Sequence, residues 1–107
     1  MSEKIELPAC PVEISLFFVG DRWKLLIVRE LLMGTRRFGE LKNALTGISQ
    51  KVLTQNLRML EHHGLVHREV YAEIPPRVEY SLTKTGESLK LIIDALWAWG
   101  ENWKVKM

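Results

Sequence analysis

The segment from Gly47 to Leu60 constrains the fold more than any other part of this sequence. Leu53, Leu57 and Leu60 are spaced four and three residues apart, so on a helix they form one apolar stripe that packs against a core. The opposite side carries hydrogen-bond donors and cations without a carboxylate, namely Lys51, Thr54, Gln55 and Arg58. A polar face of this kind is either a surface for a phosphate backbone, where acceptors dominate, or simply a solvated outer face.

The charge distribution favours the nucleic-acid interpretation. The 107-residue chain has a net charge of only +2, but five basic residues and one acid lie between Arg36 and Arg58, which gives that segment +4 and the remainder −2. The length, with 47% hydrophobic and 26% charged residues, indicates one globular domain. The concentrated positive charge predicts a polyanionic partner.

The composition argues against several kinds of site. The single cysteine, Cys10, permits neither an intrachain disulfide nor a multi-cysteine zinc site, and the adjacent His62 and His63 point in different directions on a helix. We therefore expect no metal and no cofactor. No apolar run approaches the roughly 20 residues of a membrane span, and residues 1–8 lack the layout of a secretion signal. We expect a cytoplasmic protein without a membrane partner, with residues 1–9 as a flexible tail.

The first two predicted helices are marked by their end residues. Pro11 suits the first turn of a helix that Gly20 ends. Asp21 is placed to cap a second helix over residues 22–33, which Gly34 terminates.

The next two helices are predicted to form a helix-turn-helix. Residues 35–37 are either a loop or a brief strand, and a helix of about two turns over residues 38–45 follows. A turn at Gly47 leads to the helix described above, which Ser49 is placed to cap. Two short helices joined in this way normally place the second in the major groove of DNA.

After Gly64 the apolar pattern changes to a period of two. Residues 66–71 and 77–82 both alternate, which predicts a β-hairpin. Pro75 and Pro76 have no N–H to donate to a strand ladder, so they belong to the connection.

The last predicted helix begins after a Thr83 cap and runs over residues 84–104. Its main apolar seam has heptad spacing and comprises Leu89, Ile92, Leu96, Trp99 and Trp103. Ile93, Trp97 and Gly100 add a second apolar flank beside this seam. Two flanks with three tryptophans predict a packing partner, and a helix wrapped into the core of its own chain is the alternative.

This order of elements is that of a winged helix-turn-helix, mainly α with a small β-hairpin. Two blocks are specific, Ser-Gln-Lys-Val-Leu-Thr at residues 49–54 and Pro-Pro-Arg-Val-Glu-Tyr at residues 75–80. Shorter segments such as Cys-Pro-Val-Glu at residues 10–13 and Arg-Phe-Gly-Glu-Leu at residues 37–41 agree with them. Over residues 10–100 the sequence resembles the HxlR-type bacterial transcriptional regulators, within the MarR-like superfamily.

The resemblance implies a homodimer that binds operator DNA as a repressor or activator. The two subunits would be joined through their terminal helices, so the seam residues above would form the interface, and residues 10–107 would be one DNA-binding and dimerisation domain. Some such proteins sense electrophiles or oxidants through a cysteine just before the first helix, which is the position of Cys10. The operator, the target genes, the sign of regulation and any small-molecule effector stay open.

The predicted DNA-binding residues differ in their expected roles. We expect Gln55 to contact an adenine edge and Arg58 a guanine edge, because both side chains bind those bases in a bidentate manner. The first turn of the helix offers its unpaired N–H groups to a phosphate. The residues expected to hold phosphates are Lys51, Arg36, Arg37 and Lys42. The full predicted set comprises Arg36, Arg37, Lys42, Ser49, Gln50, Lys51, Thr54, Gln55, Arg58 and Arg77.

Arg77 and Cys10 each have two interpretations. Arg77 at the tip of the hairpin either enters a narrow minor groove or pairs with Glu73 or Glu79. Cys10 lies where the helix dipole favours a reactive thiolate, although Glu13 opposes this and many free cysteines are inert. If Cys10 is oxidised, the product is a mixed disulfide, an intersubunit bond or an adduct, because the chain has no second cysteine.

Two other classes of function are weaker. An enzyme is not expected, because the chain has no Gly-rich phosphate loop, no nucleophile elbow and no paired carboxylates on one face. A winged helix used only to dock another protein is the second alternative, but docking surfaces tend to be aromatic and poor in charge.

Overall fold

The computed structural model describes residues 6–106 of the chain, the last two of them by their backbone alone. The described helices and strands include the predicted winged helix-turn-helix, together with a further strand in the sheet and further helices towards the two ends of the chain. In chain order the elements are α1 (Pro11–Val19), α2 (Lys24–Leu32), β1 (Arg36–Arg37), α3 (Phe38–Ala44), α4 (Gln50–His62), β2 (Val66–Tyr71), β3 (Arg77–Leu82), α5 (Lys84–Glu87) and α6 (Lys90–Lys106).

The predicted cap of α4 is found, whereas the N-cap of α2 is Trp23 and not the predicted Asp21. Asp21 Oδ1 accepts hydrogen bonds from the backbone N–H groups of Trp23 and Lys24, both at 3.1 Å. These bonds hold the chain in a turn, so α2 begins two residues later than the sequence predicted. Ser49 Oγ accepts from the backbone N–H of Val52 at 3.1 Å, which confirms Ser49 as the cap of α4.

The sheet has three antiparallel strands in the order β1-β3-β2. The predicted hairpin is confirmed, with Val66 opposite Leu82 at one end and Tyr71 opposite Arg77 at the other. The short segment that the sequence left as loop or strand is a strand, because Arg36 and Arg37 pair with Tyr80 and Glu79 of β3. The central strand β3 therefore ties the wing to the segment just before α3.

The prediction of one unbroken terminal helix over residues 84–104 is wrong. A four-residue helix, α5, is separated from α6 by Ser88 and Leu89. At this junction the Leu89 N–H donates to the Gly86 carbonyl at 3.1 Å, which is the tighter three-residue spacing, and the Ser88 hydroxyl donates to the Thr85 carbonyl. Thr83 caps α5 as predicted, accepting from the Gly86 N–H at 3.0 Å.

A close backbone contact fixes the position of α5. A Cβ placed on Gly86 would lie 2.0 Å from the backbone oxygen of Leu65, a distance that no side chain tolerates. Thr83 Oγ1 also donates to the carbonyl of Gly64 at 2.6 Å. The short helix α5 is thereby held against the start of β2, and α6 leaves from a fixed base.

The core lies between α2, α3, α4 and the inner face of the sheet. The leucine stripe of α4 is confirmed, since Leu53, Leu57 and Leu60 are all at most 2% exposed. Burying a leucine side chain stabilises a fold by about 1.5–3 kcal/mol, so this stripe is a main anchor of α4. The stripe fixes which face of α4 turns outwards.

The helices α1 and α6 each leave several large apolar side chains uncovered. Leu89, just before α6, and Ile93 within it pack against the core, but Leu96, Trp99 and Trp103 of α6 are more than half exposed. The outer half of α6 is therefore not wrapped into the core of its own chain. The α1 helix adds Val12, Leu16 and Phe17 to the exposed apolar surface. Within the described residues, no helix combines the length and the apolar character needed to cross a bilayer.

Candidate nucleic-acid interface

The outward face of α4 brings five of the predicted residues together. They line one surface concavity of about 530 Å³, and all of them except the half-buried Thr54 are exposed. The five residues are Gln50, Lys51, Thr54, Gln55 and Arg58.

The two hydroxyl groups of this face serve the helix itself. Thr54 Oγ1 donates to the Gln50 carbonyl at 2.8 Å, one turn earlier, so its proton is not directed outwards. Ser49 Oγ is the acceptor of the α4 cap described above. Hydrogen-bond donation to a ligand by this face therefore rests mainly on Gln50, Lys51, Gln55 and Arg58.

The basic side chains around this face have no carboxylate partners among the described residues. None of Arg36, Arg37, Lys42, Lys51 or Arg58 forms an ion pair within 4.0 Å in residues 6–106. The one acid of the basic segment, Glu40, instead accepts a hydrogen bond at 2.7 Å from the backbone N–H of Arg37. The positive charge of this surface is available to an external anion.

Arg77 is in the opposite situation. Its guanidinium pairs with Glu73 at 3.0 Å and Glu79 at 3.2 Å, and it stacks 4.0 Å from the centre of the Tyr71 ring. The side chain is 29% exposed. The alternative interpretation of Arg77 as an ion-pairing residue therefore describes its contacts in the structure, and the minor-groove contact stays a prediction.

Arg68 is a candidate site residue that was not predicted from the sequence. It lies on β2 opposite Tyr80 and lines a cavity of about 320 Å³ between α4 and the sheet, together with Thr54, Arg58 and Glu61. Arg68 forms no ion pair with a described residue. A signal was present in the sequence, because Arg68 occupies the apolar phase of its strand, between Val66 and Val70.

A second missed group holds α4 in place from behind. Lys24 Nζ pairs with Asp21 and donates to Asn56 Oδ1 at 3.2 Å, while Asn56 Nδ2 donates to the Val52 carbonyl at 2.9 Å. Burial raises the pKa of Asp21, but the hydrogen bonds and charge of Lys24 outweigh it and lower that pKa below its usual 3.8. This network ties the inner side of α4 to the beginning of α2, so it positions the outward face.

Cys10 lies where the sequence placed it, directly before the first turn of α1. The thiol is exposed, and the Cys10 carbonyl accepts from the Ile14 N–H at 3.0 Å while its side chain makes no capping bond. Glu13 lies in the first turn of the same helix.

In the part of the chain that the structure describes, no group of three or more His, Cys, Asp or Glu residues is arranged to hold a metal ion.

A helix-turn-helix with an outward cationic helix, next to an antiparallel wing, defines a winged helix-turn-helix DNA-binding protein. The chain belongs to the HxlR-like helix-turn-helix family, which matches residues 18–107. It is 46% identical over 94 residues to an HTH-type transcriptional regulator of Synechocystis sp., covering 88% of this chain and 70% of the relative.

Two solved structures are similar in fold and in sequence. A MarR-family transcriptional regulator of Porphyromonas gingivalis has a TM-score of 0.85 at 42% identity, covering 92% of this chain and 97% of that one. The redox regulator HypR in its oxidised form has a TM-score of 0.82 at 44% identity, covering 87% of this chain and 96% of that one. The predicted family and fold are confirmed, and the chain is a transcriptional regulator with a helix-turn-helix DNA-binding fold.

Proposed function

We propose that this protein is a homodimer that binds operator DNA by inserting α4 of each subunit into successive major grooves. The observation that carries the proposal is the outward face of α4, where exposed donors and unpaired cations lie on a helix whose other side is locked into the core. Gln55 and Arg58 lie in the middle of that face and are assigned to base reading, with adenine and guanine edges as their partners.

The surrounding cations are assigned to phosphate contacts. Arg36 and Arg37 lie on β1 just before the helix-turn-helix, and Lys42 lies in α3. Gln50 and Lys51 stand at the exposed start of α4. A phosphate there also meets the positive end of the helix dipole. These contacts position the protein without specifying sequence. Arg68, on β2 beside α4, joins this set.

A second copy of the chain is assigned to the uncovered apolar surface of α6. Leu96, Trp99 and Trp103 follow the heptad seam and are exposed in the single chain, and aromatic side chains are enriched at interfaces. Pairing through this helix would place two α4 helices on one duplex, which matches a two-fold operator.

Cys10 is assigned to sensing of oxidants. Its thiol is exposed at the start of α1, and the similar HypR is a redox regulator. The reaction joins two thiols, either two Cys10 residues or Cys10 and a small thiol, and the two electrons and two protons they lose reduce a hydroperoxide to an alcohol and water. Mass spectrometry after hydroperoxide treatment tests this role, with Cys10→Ser as control. An unmodified Cys10 would remove it.

The DNA-binding proposal is tested by selecting bound sequences from random duplexes and measuring their affinity by gel shift. We expect one enriched palindromic sequence, bound by a dimer in sedimentation experiments. Gln55→Ala and Arg58→Ala are expected to relax the selected sequence at separate base positions. A monomer in solution, or no retention of any duplex at low salt, would contradict the proposal and favour a protein-docking module.

A further inference from the structure

The cavity between α4 and β2 brings two arginines together beside the proposed DNA-binding face. Arg58 of α4 and Arg68 of β2 both line this space, which has a volume of about 320 Å³. Both residues are exposed, and neither forms an ion pair within 4.0 Å with a described residue. Two cations on the walls of one cavity repel each other, so the space between them favours an anion.

The rest of the lining adds a fixed floor and one opposing charge. Leu57 and Tyr80 line the cavity and belong to the buried core, so residues that packing holds in place form its inner end. Tyr80 is also the strand partner of Arg68, which fixes the backbone of Arg68 relative to that core. Glu61 lies in the lining too, but within the described residues it pairs with neither arginine. Both arginines are therefore available to an anion from outside.

The place of the cavity in the fold indicates which anion it receives. The helix α4 is proposed to enter the major groove, and the β2–β3 hairpin forms the wing beside it. The DNA strand that separates the major groove from the minor groove then passes between α4 and the wing. The Arg68–Tyr80 pair lies three pairs from the Tyr71–Arg77 pair at the tip, so the cavity is at the inner end of this passage. A backbone phosphate is the anion supplied there, and this step rests on the proposed function.

We propose that Arg68 and Arg58 hold one backbone phosphate between them, and that this contact positions Arg58 on the base that it reads. A guanidinium carries five N–H donors in a rigid plane. Two of these donors bind a guanine edge, so Arg58 retains others for the phosphate. The anchored phosphate fixes the plane of a side chain that is otherwise exposed to solvent. Arg68 touches no base in this arrangement, and it is a positioning residue that affects sequence preference through Arg58.

The first test compares Arg68→Ala with Lys51→Ala, which removes a proposed phosphate contact outside this cavity. In sequence selection from random duplexes, Arg68→Ala is expected to relax the same base position as Arg58→Ala, while Lys51→Ala keeps the preference of the parent. Gel shift should show that Arg68→Ala lowers operator affinity about tenfold and non-specific affinity about threefold. An unchanged base preference in Arg68→Ala, with that of Arg58→Ala relaxed, overturns the positioning role and leaves the proposed DNA binding intact.

A double-mutant cycle measures the coupling between the two arginines. In the Arg58→Ala background, Arg68→Ala is expected to cost only about threefold, because the phosphate contact no longer acts on a base-reading side chain. Lys51→Ala is expected to cost the same factor in both backgrounds. Arg68→Lys should recover part of the affinity and of the base preference, since a lysine also binds phosphate. Additive losses at Arg58 and Arg68 would overturn the coupling.

The phosphate itself is identified with operators in which one phosphate at a time is replaced by an uncharged methylphosphonate. We expect one position in each half-site at which the parent loses about fivefold in affinity and Arg68→Ala loses nothing. At that position the parent should also discriminate less between bases. The absence of such a position overturns the proposal. If inorganic phosphate at constant ionic strength competes through Arg68 while every methylphosphonate is silent, the cavity binds a free anion instead of the backbone.

Glu61→Gln tests the sign of the charge in the cavity while leaving both arginines in place. Removing this exposed carboxylate should strengthen operator binding about twofold, and the gain should vanish on the methylphosphonate operator. Glu87→Gln is the control, because Glu87 is exposed on α5 and does not line the cavity. Weaker binding by Glu61→Gln would overturn the anion site. Failure of the parent to retain any duplex at low salt would instead refute the proposed function and this site together.

Discussion

The α4 face and the wing both carry cationic side chains, but these side chains have different neighbours. On α4, Lys51 and Arg58 are exposed and have no ion-pair partner among the described residues. In the wing, Arg77 is held by two carboxylates and an aromatic ring. The contribution of a cation to DNA affinity in this fold therefore depends on which contacts within the protein it must give up before it binds a phosphate.

The difference has a predictable energetic consequence. A partly exposed ion pair contributes about 0–1 kcal/mol, and Arg77 exchanges two of them for any contact with DNA. Glu69 and Glu79 face each other directly across the wing, which adds negative charge where a backbone would approach. We expect the wing to contribute less to affinity than α4 does.

The largest effect is expected for Arg58→Ala. Loss of a bidentate base contact costs about 1–3 kcal/mol, so affinity for the selected operator should fall roughly fivefold to 150-fold. Gel shift at fixed salt measures this. Lys90→Ala is the control, since Lys90 pairs with Asp94 on α6, away from this face, and should change affinity less than twofold. A smaller loss for Arg58→Ala than for the control would contradict the base-reading role.

Lys51→Ala should have the next largest effect, spread evenly over all sequences. A phosphate contact contributes to specific and non-specific binding alike, so both affinities should fall by about fivefold. The slope of log K against log salt should become shallower by about 0.9. A loss restricted to the operator would show that Lys51 reads bases.

Arg77→Ala is expected to weaken binding only about two- to fivefold and to flatten the salt slope by less than Lys51→Ala does. Titrations of both variants over the same range of salt make the comparison. If Arg77→Ala exceeds Arg58→Ala, the proposed ranking of the two regions is reversed. An unchanged salt slope would count against any wing contact.

Glu79→Gln tests the same comparison in the other direction. The change releases Arg77 from one carboxylate and removes one negative charge, so binding should strengthen by about twofold. The gain should shrink in the Arg77→Ala background, which a double-mutant cycle measures. An equal gain in both backgrounds would mean that Glu79 acts only through its own charge.

The smallest effect concerns stability at the inner end of α4. Because burial lowers the pKa of His63, the folded state favours the neutral ring, and its contribution is complete above about pH 6.5 and declines as pH falls towards the lowered pKa. His63→Phe should therefore lose less stability than the parent between about pH 7.5 and 5 in urea titrations. His67→Phe, at the exposed wing histidine, is the control, and an equally flattened profile there would exclude a specific role for His63.

The elements that the sequence predicted are those decided by local spacing and caps. The leucine stripe of α4 and the Ser49 cap depend on residues within one or two turns, and both are found. The period-two apolar pattern of β2 and β3 is likewise local, and it predicted the hairpin that the structure contains. The break after α5 was missed because Gly86 meets the Leu65 carbonyl, a contact between residues far apart in the sequence.

The candidate site shows the same division. The outward residues of α4 followed from helical spacing, and they do share one surface. The Lys24–Asn56 link joins positions 32 apart, so no local pattern indicated it. For Arg77 the sequence identified Glu73 and Glu79 as alternative partners. It did not predict that both would pair with Arg77 at once, because this depends on the conformation of the wing.

The break between α5 and α6 has a geometric consequence for any dimer joined through α6. That helix has 17 residues and extends about 25 Å from the junction. A rotation of about 10° at its base would carry its far end about 4 Å sideways, by the same helical dimensions. This displacement is close to the rise of about 3.4 Å per base along one DNA strand. In a dimer joined through α6, the angle held at this two-residue junction would therefore set the spacing of the two half-sites to within about one base pair.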